Sequence, residues 1–434
     1  EFRQALYEHG LGKRRDALFE TLDALLLAGP VTSFAMLSLD PRFKRQWHSL
    51  YKALESGELN EAWLTTHLAR QVPCTGVQYF SLDGTTWPRP RARTLDDRQY
   101  VYHPTAAVNG GSVCVGYPYS LLDWVPTPHS SWSLTINLQR IPSTLTAREV
   151  GVQQIKALSK ARKSNDEGLD VVAGDAKYGT ARFLRPLRGQ PCGIVVRLRK
   201  DRVLFHAPEP PPMKRRGRPP VHGARFAFKE PDTWGTPDEA LEFEHAHLGQ
   251  VKLQRWNNLH GKRDADVPFD LVRARIHLER TKPPAPIWLA WQAPSDIPEH
   301  LDINAELIWQ AYCHRWPIEP GIRFRKQRLG WNLPRFQHKE TGDRWSWLVA
   351  LAVWLLFLAR PIVQDRPLPW QKPQSYLTPQ RVQQSLASIF EHFGSPVKCP
   401  KVRGKPPGWP KGRPRTPKRR FRVVKKLPIQ AQTA

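Results

Sequence analysis

The chain carries 66 lysines and arginines against 39 aspartates and glutamates in 434 residues, a formal charge of +27. That excess favours a polyanionic partner, nucleic acid first, and argues against an acidic protein ligand alone. Five scattered cysteines, Cys74, Cys114, Cys192, Cys313 and Cys399, form no CxxC pair and share no ligand spacing with histidine, which argues against zinc or disulfide frameworks and fits a reducing cytoplasm.

Residues 1–75 show helical periodicity in ALFETLDALLLAG and WHSLYKALESGELNEAWLTTHLARQ, so a small N-terminal helical domain is expected there; with nucleic acid the leading partner, DNA binding is its expected role. No charged-then-apolar leader opens the chain, so secretion is not expected. From Val77 the texture turns β-rich, with VQYFSLDGTTW and then AAVNGGSVCVGYPYSLLDWV, where Asn109-Gly110 is a hairpin signal. The helical stretch TAREVGVQQIKALSKARK and the strand GLDVVAGD complete the first part of a mixed α/β core over 76–196.

Residues 197–285 interrupt that core with a mainly β insertion holding QVKLQRWNNL and PFDLVRARIHLER. Within it, Lys214-Arg215-Arg216-Gly217-Arg218-Pro219-Pro220 has an AT-hook core whose Arg216 and Arg218 suit a narrow A·T minor groove. The duller reading is a solvated basic linker. The strand PIWLAWQA opens the second part of the core, 286–365, followed by a long helical region. Its apolar run, Trp347 to Ala359, is bracketed by Arg344 and Arg360 and is too short for a bilayer of roughly 30 Å, so a buried core helix is expected. Residues 366–434 are basic and Pro-rich, with thirteen Lys or Arg and no acid after Glu391. This tail is expected to stay disordered until it meets an anion, and Arg413 sits in a weaker copy of the AT-hook pattern.

The most specific segment is AYCHRWPIEPGIRFRKQRLGW, 311–331. On a continuous helix Tyr312, Arg315, Glu319 and Lys326 would fall within about a 60° stripe. A solvated charged face is the bland alternative, but Ile308, Trp309, Ile318 and Ile322 crowd the same stretch, and a carboxylate in such surroundings needs partners. Pro317 and Pro320 make a kink there expected. Two strand-end acids are the strongest partners for Glu319: Asp83 in SLDGTTW and Asp175 in AGDAKYG. Asp96, Asp97, Asp123 and Asp170 are competitors on spacing, and turn formation is the ordinary role of any one such residue. His103, His129 and His314 show no metal spacing.

Tyr-x2-Arg-x3-Glu-x6-Lys resembles the signature of a large group of bacterial insertion-sequence DDE transposases of the cut-and-paste type, matched by Tyr312, Arg315, Glu319 and Lys326. The order Asp83, Asp175, β insertion, Glu319 follows that family's pattern. The resemblance implies an RNase H-like mixed sheet flanked by helices, and Asp83, Asp175 and Glu319 as catalytic ligands of two Mg²⁺ ions, with Mn²⁺ as the alternative. It implies that Tyr312, Arg315 and Lys326 grip the DNA end, that Trp288 or Trp291 on the preceding strand stacks an unstacked base while the ends pass through a hairpin, and that a homodimer bridges the DNA in a bacterial, nucleoid-associated setting. Two alternatives stay open: a catalytically inactive or repressor-like DNA-binding derivative, and a metal-dependent nuclease without strand transfer.

Overall fold

The computed structural model describes residues 1–102, 112–128, 130–162, 167–208, 219–277, 284–401, 408, 410–414 and 416–425. The chain opens with helices α1 (Phe2–Ala5), α2 (Arg15–Leu27), α3 (Phe34–Leu37), α4 (Trp47–Ser56) and α5 (Glu61–Ala69). Strands β1 (Gly76–Pro88), β2 (Gln99–Tyr102), β3 (Val113–Val125) and β4 (Leu134–Arg140) follow, then α6 (Ala147–Ala161), β5 (Gly168–Gly174), α7 (Ala181–Leu184) and β6 (Cys192–Arg197). The insertion supplies β7 (Val203–Phe205), β8 (Arg225–Ala227), β9 (Glu239–His245), β10 (Gly249–Gly261) and β11 (Asp264–His277). Then come β12 (Ile287–Gln292), α8 (Ala305–Cys313), α9 (Ile318–Gln327), α10 (Lys339–Ala359) and α11 (Pro379–Leu386).

The strands form one mixed sheet in the order β2-β3-β1-β5-β6-β12-β11-β10-β7-β8, with β4 beside β3 and β9 beside β10. In the first half of that order β1 runs antiparallel to β3 and parallel to β5, which is parallel to β6. The β insertion extends this sheet through the antiparallel pair β11–β12. The Asn109-Gly110 turn and the AT-hook arginines Arg216 and Arg218 lie outside the described residues.

Alternation along β1 divides the two sides of the sheet. Phe80 and Leu82 enter the larger core with α6 and α10, while Val77 and Tyr79 face a smaller core under α8. The helix α6 starts on a capping box, with the Thr146 and Glu149 side chains each accepting the other's backbone N–H, which satisfies two otherwise orphaned donors. The apolar run expected to be a buried helix lies in α10, where Trp345, Trp347 and Trp354 are almost fully buried. Residues of α2, α4 and β4 share that core, so the N-terminal helices and the sheet are packed as one hydrophobic body.

The kink expected at Pro317 and Pro320 is a full break, so Tyr312 does not share one helix with Glu319 and Lys326 as the continuous-helix stripe assumed. The helix α8 ends at Cys313, a turn spans 314–317, and α9 begins at Ile318. The physical cause is proline: Pro317 caps α9, and Pro320 falls in the first turn, where its missing N–H removes no helical bond. The basic tail also differs from expectation, because residues 416–425 lie against the sheet.

Candidate active site

Parallel pairing of β1 and β5 sets Leu82 beside Gly174, so Asp83, which stands inside β1 and not at its end as expected, lies beside Asp175, the first residue past β5. Asp83 belongs to the face that carries Tyr79 and Ser81, the side toward α8 and α9. Its carboxylate accepts the Gly84 N–H at 2.7 Å and an Arg315 N–H at 3.0 Å. Burial nevertheless pushes the Asp83 carboxyl up from its ordinary pKa, and the neighbouring Asp175 adds to that push against the pull of Arg315. Asp175 ends its strand in a turn, accepting the Lys177 N–H at 3.0 Å through its side chain while its backbone oxygen accepts from Tyr178. The buried Tyr178 ring packs beneath Gly174, where a Cβ would come within 3.1 Å of it.

Arg315 joins the third acid to this pair. From the 314–317 turn its guanidinium reaches Asp83 at 3.0 Å and Glu319 at 2.9 Å. Burial disfavours its charge, but Asp83, Tyr312, Glu319 and Asp175 together hold its pKa above the usual arginine value. Glu319, in the first turn of α9, leaves 54% of its side chain exposed. The turn and helix are pinned at two neighbouring points of the sheet. Ser81 donates to the His314 carbonyl at 3.2 Å. Across the β1–β3 register, Ser81 stands opposite Asp123, which pairs with Arg325 on α9 at 2.8 Å, both side chains being at most 1% exposed. Arg325 also donates to the Ser133 carbonyl, and the Ser133 hydroxyl to Asp123.

The competing acids are each engaged elsewhere: Asp170 with Arg162, Asp96 with Lys339, Asp97 with Arg140, and Asp123 with Arg325. Tyr312 closes α8, half-buried beside the smaller core. Lys326 is half-buried on α9, where burial lowers its pKa. Trp288 and Trp291 point to opposite faces of β12 and are core residues, 2% and 1% exposed. Trp288 stacks on Phe228 at 4.1 Å, and Trp291 fills the space above Gly193, where a Cβ would lie 2.1 Å from the indole. Neither ring offers a free face for a base in this conformation. Arg413 is exposed, far along the chain from the carboxylates.

Lys177, Trp316 and the pairing of Asp123 with Arg325 were not singled out by sequence reasoning, which had weighed Asp123 only as a competing acid. Lys177 is exposed and lies across Gly84, its Nζ 2.7 Å from where a Cβ would stand, and its charge acts on Asp83. Its place two residues after Asp175 was the available signal. Trp316, 54% exposed, follows Arg315 in the turn. The Asp123–Arg325 pair left no local signal, because only strand register brings the two together.

Three carboxylates are hard oxygen donors suited to Mg²⁺ or Mn²⁺. Among the described residues no group of three His, Cys, Asp or Glu side chains is spaced to hold a metal ion, and the Arg315 guanidinium bridges Asp83 and Glu319. The donor types fit a divalent cation, while the arrangement described here holds Asp83 and Glu319 on Arg315. The family model for the DDE superfamily endonucleases matches residues 6–262, more than half of the chain, including Asp83 and Asp175. None of the curated proteins matches it. Among solved structures the chain is similar to a piggyBac transposase synaptic complex with hairpin DNA, at 12% identity and a TM-score of 0.38, covering 89% of this chain and 73% of that one.

Proposed function

The chain belongs to the DDE superfamily endonucleases, and on that premise we propose that it is a cut-and-paste DNA transposase of the Tyr-Arg-Glu-Lys group, acting at the ends of an insertion sequence. One observation carries this reading: Asp83 and Asp175 emerge together from parallel strands, and Arg315 ties Glu319 to Asp83. The strand order β4-β3-β1-β5-β6, with β1 central and antiparallel only to β3, supports an RNase H-like core.

Asp83, Asp175 and Glu319 would hold the divalent cations. Bound there, the ions would polarise the attacking oxygen and stabilise the leaving oxygen at phosphorus. Arg315, once it exchanges a carboxylate for a phosphate oxygen, presents a planar fork suited to bidentate phosphate contact. Lys326 loses less on binding an anion than it would exposed, because its charge is already partly desolvated and a phosphate restores a partner. Tyr312 adds a hydroxyl contact. Trp316 is the aromatic with an accessible ring beside these groups, and it takes the base-stacking role that burial denies Trp288 and Trp291.

The test is a plasmid flanked by candidate inverted repeats, incubated in Mg²⁺ with wild type or Glu319→Gln. Cleaved and joined products from wild type alone support the transposase. Cleavage without joining assigns a nuclease. Binding without any product from the wild type assigns the non-catalytic DNA-binding reading.

A further inference from the structure

The most cationic stretch of the chain is built onto the catalytic end of the sheet. Val424 forms a parallel bridge with Gln99 on the outer edge of β2. Its N–H donates to the Arg98 carbonyl at 2.7 Å, and the Phe421 N–H donates to the Arg93 carbonyl at 2.8 Å. In return the buried Arg98 guanidinium donates to the Phe421 carbonyl at 3.2 Å, and Lys418 meets the Gln337 side chain. These contacts are mostly backbone, so they fix the segment and cover an edge strand while leaving the Arg420 and Arg422 side chains exposed to solvent.

Lys418, Arg419, Arg420 and Arg422 are all exposed. Acids of the adjoining loop are already neutralised, Asp96 by Lys339 and Asp97 by Arg140. Further exposed cations, Arg91, Arg93 and Arg335, flank the same place. Cations on a backbone fixed at a sheet edge are preset for a rigid polyanion, since little backbone order remains to be gained on binding. A single strand would want open aromatic platforms, but the half-buried Phe421 ring is covered by Arg419 at 5.2 Å.

We propose that residues 418–425 form a phosphate-binding ridge that grips duplex DNA beside the cleavage site. Pro88 of β1 and Gln99 of β2 both pair with Gly116, so the ridge stands five residues along β1 and three strand spacings across from Asp83. At ~3.3 Å per residue and ~4.8 Å per strand this is roughly 22 Å, the length of about six base pairs. A duplex engaged at the carboxylates passes the ridge at that distance. The proposal rests on the DNA-cutting function proposed above.

The experiment measures binding of a 30-base-pair random-sequence duplex between 50 and 200 mM salt, using the full chain. Each phosphate contact contributes about 0.9 to the slope of log affinity against log salt. The variant K418Q/R419Q/R420Q/R422Q should lose up to roughly 3.6 of that slope, so that wild type weakens on the order of a hundredfold more than the variant across this range. Val424→Pro removes the anchoring N–H and keeps every charge, and it should lose part of the slope. An unchanged slope in the quadruple variant overturns the proposal, as does a loss confined to anionic vesicles or to single-stranded RNA. A wild-type slope in Val424→Pro overturns the fixed placement. Glu319→Gln is read by cleavage alone: if it keeps full cleavage while the quadruple variant loses its slope, the catalytic reading fails and the ridge stands.

Discussion

The two halves of the candidate site are built differently. Asp83 and Asp175 are fixed by adjacent parallel strands, and their separation is set by a backbone ladder. Glu319 stands at the exposed start of a helix that touches the sheet through Ser81, the Arg315 bridge and one buried ion pair. The first half is a platform and the second an arm. In the proposed function Arg315, held on a turn and not on a strand, would exchange a carboxylate for a phosphate without disturbing β1 or β5, which a site built wholly on the sheet would not permit.

The sharpest way to break the comparison is through the arm's anchor. Arg325→Met leaves Asp123 buried and unpaired, and should cost about 3–5 kcal/mol in urea unfolding. The double change Arg325→Met with Asp123→Leu should recover most of that stability. If its cleavage rate recovers equally, the pair serves packing and not the placement of Glu319. Next in size is the cation: Mg²⁺ or Mn²⁺ at a hundred times its Kd should stabilise wild type by about 2.7 kcal/mol, read as a rise in Tm. Asp83→Asn should abolish that rise and cleavage together.

A pH series separates platform from arm. Because the Asp83 pKa is raised in the folded state, mainly by burial, ionising it costs stability as pH climbs through that raised value, and the cost is absent below the ordinary aspartate range. Asp83→Asn, which cannot ionise, should therefore have a higher Tm than wild type in metal-free buffer at pH 8, with the gain vanishing near pH 4. The smallest effect belongs to Glu319→Gln. Its pair with Arg315 is more than half exposed on the glutamate side, so stability should change by no more than about 0.5 kcal/mol, and a larger loss would show that α9 depends on that pair for its place.

Much of the sheet was readable from local pattern. Alternation and β-branched runs mark β1, β5, β10, β11 and β12, and Thr146 with Glu149 marks the start of α6. CGIVVR of β6 is buried on both sides and carries no alternation, whereas LTINLQR of β4 alternates apolar and polar residues and is legible as a strand. The helix break at 314–317 was legible in Pro317 and Pro320, while the resulting placement of Arg315 between two carboxylates was not, since it depends on where the turn docks on Ser81. Trp288 and Trp291 show the limit of motif transfer: the strand is where the pattern puts it, but neighbours Phe228 and Gly193, distant in sequence, decide that both rings are inside. The docking of Val424 on β2 was hidden because composition alone gives that tail no reason to order.

The placement of α10 bears on how the protein can be dissected. With α2 and α4 against it on one side and β4 on another, α10 is the shared mast of both the helical N-terminal region and the sheet. Cutting the chain at residue 75 would not release a tidy module; it would bare a twenty-one-residue rod rich in tryptophan and leucine. Such a fragment should precipitate on expression, and scanning calorimetry of the intact chain should show the helices and the sheet melting together in one transition.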